Sequence, residues 1–185
     1  TALGTALTAE GVVVVIEPAA RAPSRRTLGF RDHLVEQGWR ILAPCPAQTP
    51  CPAFADAEEW CHGEWPFERP VFMQAVDRKV GTRREVLNAT WFAATRAPAR
   101  PSETEDLQVA RVVSAREDLK GRTLARVCVD GRLDWLELQK RDLTDENRDL
   151  TRASRHDRLL FSGGERKGGA LRLAKESTCR LPDVD

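Results

Sequence analysis

The chain has 185 residues, of which 41% are hydrophobic and 31% charged, enough for one domain with a real core or two small ones and too few for a large multidomain enzyme. Its 29 basic residues nearly cancel its 28 acidic ones, so attraction to nucleic acid must come from how charge is distributed. No apolar run approaches the roughly 20 residues of a spanning helix. Residues 12–16 read Val-Val-Val-Val-Ile between Gly11 and Glu17-Pro18, the pattern of a strand covered on both faces. Ser24 is the expected N-cap of a helix through about Gln37, with Leu28, Leu34 and Val35 as its apolar stripe and Gly38 as its stop. Residues 39–43 form the next strand, making a βαβ unit of a doubly wound α/β sheet.

After Pro44 comes Pro-Cys-Pro-Ala-Gln-Thr-Pro-Cys-Pro, too rich in proline for a helix or a central strand. Residues 56–68 carry five acidic groups among Trp60, Trp65 and Phe67, and a loop this long needs something to hold it. Residues 86–95 are a strand that closes the α/β sheet, and residues 96–105 are the linker. Beyond it, residues 107–115, 122–129 and 132–138 read as strands, with turns at Lys120-Gly121 and at the hairpin dipeptide Asp130-Gly131. Residues 142–156 are a charged helix or turn, and residues 158–162 and 171–174 are short strands. The domain reading is therefore 1–100, α/β with a Cys-rich insertion at about 44–85, and 101–185, a small antiparallel β unit. The chain opens on Thr1 without an initiator Met or a signal-peptide pattern and reads as an excerpt.

Five cysteines are an odd number, which argues for a reducing compartment and for metal binding over a disulfide framework. Cys45-Pro46, Cys51-Pro52 and Trp60-Cys61-His62 share one proline-rich loop, and Cys128 waits on a later strand as a fourth thiolate. Structural zinc uses tighter Cys pairs than these. The wide spacing leans toward an iron–sulfur cluster, with zinc and ordinary buried cysteines as the alternatives. His62 reads as support for the ligands rather than as one of them. His33, on the helix, and His156, in the charged stretch, read as solvated, and Cys179 as a free thiol.

Only five of the basic residues are lysine, leaving 24 arginines; guanidinium forks suit phosphate and carboxylate, and a GC-rich genome produces the same bias. Arg148, Arg152, Arg155, Arg158, Arg166, Lys167 and Arg172 outnumber the acids between 148 and 172, which fits a phosphate-facing patch and a solvated charged face equally. Gly163-Gly164 and Gly168-Gly169 are turns and not a phosphate loop.

Val-Ile-Glu-Pro-Ala (15–19), the Arg-rich helix, Leu-Ala-Pro-Cys-Pro (42–46), Cys51-Pro52, Trp60-Cys61-His62, Arg111-Val112-Val113, Lys120-Gly121-Arg122 and Val127-Cys128 together resemble the small-ribosomal-subunit methyltransferase-like proteins. The resemblance implies the C-terminal half of a class I, Rossmann-like methyltransferase sheet with a Cys-rich insertion, followed by a β appendage. It implies a 4Fe-4S cluster on Cys45, Cys51, Cys61 and Cys128. It also implies a role in small-subunit assembly, with ribosomal RNA and the ribosome as partners and neither membrane nor DNA among them, in the bacterial cytoplasm or the mitochondrion. The chain departs from the family at Gly63, where an aromatic residue is usual, and has no Gly-x-Gly motif for S-adenosylmethionine. Two other readings stand beside it: an active S-adenosylmethionine-dependent rRNA methyltransferase, and a zinc-stabilised interaction module.

Overall fold

The computed structural model describes residues 5–83, 85–98 and 107–182. The first part is a four-stranded sheet built around one long strand. Strand β1 (Val12–Pro18) leads into helix α1 (Arg21–Glu36) and strand β2 (Arg40–Ala43); strand β3 (Gly63–Pro66) and helix α2 (Val71–Val80) precede strand β4 (Val86–Thr95). β4 pairs antiparallel with β1 along one edge, and with β2 and β3 end to end along the other. β1 and β2 therefore run in the same direction, as expected of a βαβ unit, but β4 runs against them from between them. The expected closing strand is the centre of this sheet, and all of its pairings are antiparallel.

Even-numbered β4 residues explain why one face is buried. Phe92 and Ala94 point the same way as Val13 and Val15 of β1 and pack with Leu34, Trp39 and Ile41. The opposite face is bare along β1, where Val12, Val14 and Ile16 are 46%, 57% and 66% exposed. The expectation that this run is covered on both faces is thus met on one face only. α1 also begins earlier than expected, at Arg21 after Ala20, and Ser24 is no cap. It is fully buried in the first turns, where its hydroxyl shares a 2.6 Å hydrogen bond with the Thr90 hydroxyl of β4. The helix stops as expected at Gly38, whose φ of +80° belongs to the left-handed region.

The second part is an eight-stranded sheet: β5 (Gln108–Val112), β6 (Glu117–Leu119), β7 (Arg122–Val129), β8 (Arg132–Gln139), β9 (Arg158–Ser162), β10 (Glu165–Lys167), β11 (Ala170–Leu173) and β12 (Thr178–Arg180), in the order β10-β11-β8-β7-β5-β9-β12, with β6 beside β7. All pairs are antiparallel except β11 with β8. Alternation does the sorting: Thr123, Ala125, Val127 and Val129 are buried on one face of β7. Most of these join Val112, Leu136, Leu138, Leu159, Phe161 and Leu173 in the larger core, to which Cys179 also belongs. The Asp130-Gly131 turn has positive φ at both residues, 48° and 71°, as a type I′ hairpin requires. The charged stretch before β9 holds two 3-10 turns, Lys140–Asp142 and Arg148–Thr151, and no α-helix. The linker expected over 96–105 lies largely outside the described residues.

Candidate metal centre

The cysteine loop leaves the first sheet at Ala43 and returns at Gly63, so it emerges from the gap between β2 and β3 on the same edge of β4. A loop of this length with so many prolines has carbonyl groups that no ladder satisfies. Arginines of α1 satisfy them. Arg25 donates to the carbonyl oxygens of Ala53 (3.3 Å), Asp56 (2.9 Å) and Glu59 (2.7 Å), and its guanidinium lies 4.8 Å from the centre of the Phe54 ring. Arg31, almost fully buried, donates to the carbonyls of Ala47 and Thr49 and is paired with Asp32 at 2.6 Å. Asp32 in turn accepts the Cys51 backbone N–H at 2.8 Å. Gln48 closes the loop's first turn by exchanging two hydrogen bonds with the backbone of Ile41, and Thr90 donates to the Cys61 carbonyl at 2.8 Å.

The second sheet meets this loop with the face opposite its core. Leu124, Arg126 and Cys128 alternate on that face of β7, and in the β5–β7 ladder Arg111 stands directly opposite Cys128. The contact between the two parts is polar: Arg126 pairs with Glu59 at 2.9 Å, Arg155 lies 3.2 Å from Glu64 and 3.0 Å from the His62 ring nitrogen. Gly131 at the hairpin tip abuts Thr49, with no room for a side chain between them.

Between loop and sheet is a cavity of about 350 Å³ whose walls include Cys45, Cys51, Cys61 and Cys128. The structure therefore brings the three loop cysteines and the distant strand cysteine to one space, and leaves Cys179 in the other core. All five are free thiols. Burial pushes the Cys51 and Cys128 thiols up to about 12 and raises Cys61 as well, with the neighbouring thiols adding to the effect at each. Arg111 opposes the rise at Cys61 and Cys128. Among the described residues, no group of three or more His, Cys, Asp or Glu side chains is gathered as one metal ion requires.

The donor set nevertheless suits a thiophilic group of some size. Four cysteines line one cavity, and on its wall the donors Arg31 Nε, Trp60 Nε1 and Arg111 Nε and the ring nitrogen His62 Nδ1 are buried without a hydrogen-bond partner, while Arg155 Nε has only its ion pair with Glu64. Buried donors are costly unless something accepts from them. Sulfide and thiolate sulfurs accept such bonds, and soft ligands select iron–sulfur clusters and zinc.

Two features of the site lie outside the sequence reading. His156, expected to be solvated, is partly buried, takes a φ of +87° and accepts a 2.9 Å hydrogen bond from Trp91 Nε1 of β4. The Arg111 guanidinium lies against its other ring nitrogen. Gly63, the departure from the usual aromatic, is where a Cβ would run into Trp65 and His156, so the small residue makes room for that histidine. No sequence pattern marks a histidine for a left-handed turn. The basic cluster between 148 and 172 is largely neutralised within the molecule, Arg148 by Asp145, Arg152 by Asp149, Arg155 by Glu64, Arg166 by Asp134 and Arg172 by Glu137. Among the described residues, Arg158 and Lys167 of that cluster have no carboxylate partner.

Residues 3–177 match the family described as mitochondrial small ribosomal subunit Rsm22. The chain belongs to the Rsm22 family. A comparison with curated proteins finds no match. Membership of the Rsm22 family carries a small-subunit, ribosome-related and methyltransferase-like role, and an α/β part with two helices beside a larger β part is compatible with a portion of such a fold. Among the described residues no helix is long and apolar enough to cross a membrane.

Proposed function

We propose that this chain is a methyltransferase-like assembly factor of the small ribosomal subunit that binds its RNA, and that Cys45, Cys51, Cys61 and Cys128 hold a structural 4Fe-4S cluster clamping the β unit to the α/β part. The observation that carries the reading is the shared cavity: cysteines from a loop and from a strand of a different sheet line one space. A zinc ion draws four sulfurs to about 2.3 Å from a single point, whereas a four-iron cluster is bound through four separate irons. Four cysteines that line one cavity without being gathered as a single ion requires favour the second. When bound, the cluster supplies four strong metal–thiolate bonds across the two parts, comparable in purpose to metal sites that contribute folding free energy on the order of 10 kcal/mol.

The α/β part is read as the end of a class I methyltransferase-like sheet, because two co-directional strands joined by a helix flank one reversed strand, and because a continuous β-branched run is left with a bare face. S-adenosylmethionine belongs to this reading only through residues this chain does not display, and an active rRNA methyltransferase is the second reading. RNA contact is assigned to arginines that lack carboxylate partners, Arg158 among them. The setting is the mitochondrion for the eukaryotic members and the cytoplasm for a bacterial one.

The test is anaerobic purification. Brown protein with about four irons and four acid-labile sulfides per chain is expected, and Cys128→Ser should lose both. Colourless protein with stoichiometric zinc would overturn the cluster while keeping a four-thiolate site. Binding to small-subunit RNA that weakens steeply with salt is expected of the RNA role; salt-insensitive or absent binding would remove it. Transfer of labelled methyl to that RNA would replace the assembly reading with the enzymatic one.

A further inference from the structure

Arg111 carries a permanent charge into the wall of the cavity, where only 3% of it is exposed. Guanidinium does not lose its proton in proteins, so a buried arginine needs an anion nearby. Among the described residues no carboxylate pairs with it. Its neighbour across the β5–β9 ladder is Arg158, a like charge directly opposite, an arrangement that opposes folding unless something negative sits close. Its neighbour on the other side is Cys128, and its field reaches Cys61 as well.

Its hydrogen bonds lead to the same place. The His156 ring faces the Trp91 indole N–H with one nitrogen and the Arg111 guanidinium with the other. Burial, and then Arg111 itself, keep that ring neutral, its pKa lowered to about 3, and a neutral imidazole accepts at one nitrogen only. Two donors therefore compete for one acceptor, while Arg111 Nε has none. The guanidinium has donors in excess on the side of the cavity.

We infer that Arg111 is the positioning residue of the four-cysteine site, the buried counter-charge to the Cys61 and Cys128 thiolates and an N–H donor to sulfur when the site is loaded. The inference rests on the metal reading proposed above. Charge-assisted hydrogen bonds to the loaded form stabilise it over the empty one, and a fixed positive charge beside it favours its more negative, reduced state. Removing the charge makes the loaded site harder to reduce and faster to empty.

The experiment compares wild type, Arg111→Gln and Arg111→Lys after anaerobic reconstitution with ferrous iron and sulfide. Iron content, reduction potential and the rate of iron loss to a chelator are measured on each. Arg111→Gln is expected to take up iron, to show a more negative potential and to lose the group about tenfold faster. Arg111→Lys should recover the potential, since it keeps the charge, but not the retention, since it lacks the fork. Wild-type potential and release rate in Arg111→Gln overturn the inference and leave the metal reading intact. A wild type that binds no metal overturns both. A wild type that holds zinc overturns the cluster alone, and release of zinc from Arg111→Gln at the wild-type rate then overturns the role of Arg111. Should Arg111→Gln fail to fold, Arg111→Lys decides: unchanged release from it overturns the inference.

Discussion

The indole N–H of Trp91 donates to Nε2 of His156 over 2.9 Å, and this bond joins the central strand of one sheet to the turn that starts β9 of the other. The ring must be neutral to accept it. Its pKa is lowered to about 3, by burial first and by Arg111 and His62 after that. An unfolded chain protonates this histidine near 6.5, so between those values the unfolded state binds the extra proton and stability rises with pH. The contribution is complete above about pH 6.5 and is lost as pH falls toward 3. His156→Asn, which tolerates the left-handed backbone, should flatten the fall in melting temperature between pH 7 and 5 relative to wild type; an unchanged slope would remove His156 from the pH response.

Gly131 serves two demands at once, a φ of +71° in the hairpin and contact with Thr49 of the cysteine loop. Gly131→Ala should cost about 1–3 kcal/mol by chemical denaturation. Adding Thr49→Ala should return the steric share and leave the backbone share, so the double variant is expected between Gly131→Ala and wild type.

Arg25 holds three loop carbonyls, and lysine, a point charge on a flexible stem, cannot match that fork. Arg25→Lys and Arg25→Ala should both speed proteolytic cleavage within residues 44–62, with Arg25→Ala losing about 1.5–3 kcal/mol of stability. Equal cleavage in all three proteins would place the hold on the loop elsewhere.

Metal loading should be strongly pH-dependent. Cys51 and Cys128 stay protonated until about pH 12 in the empty site, and thiolates are the ligands. Reconstitution with ferrous iron and sulfide should therefore load progressively less iron as pH falls from 8 to 6. Iron bound per chain, measured across that pH range, checks it.

The two faces of β1 predict opposite responses. Val14→Lys lies on the bare face and should change stability by no more than about 0.5 kcal/mol while reducing self-association. Val15→Lys faces the α1 side of the sheet and should unfold the α/β part. Sedimentation and denaturation distinguish the two.

What was legible follows from what each residue responds to. β7 and β8 were readable because alternation and the Asp130-Gly131 turn are local and agree with each other. Ser24 was misread because a hydroxyl near a helix start signals a cap, while its partner, Thr90, is remote in sequence. Strand β3 and helix α2 were missed: β3 is short and proline-flanked, and the apolar stripe of α2, Phe72, Val76 and Val80, remains exposed. The position of β4 between β1 and β2 is a topological fact with no composition of its own. The cysteines were visible as a set because rare residues beside proline stand out; Arg111 and His156 were not, because their roles arise from cross-strand register and from a turn conformation.

The route of the chain through β4 also sets an order on biosynthesis. Residues 40–66 leave the ribosome before the strand they pair with, and Cys128 appears only after that strand is complete. Through this interval the first three thiols are accessible to oxidants and stray ions on the nascent polypeptide, and the chamber they share closes only when the hairpin ending at Gln139 has been made.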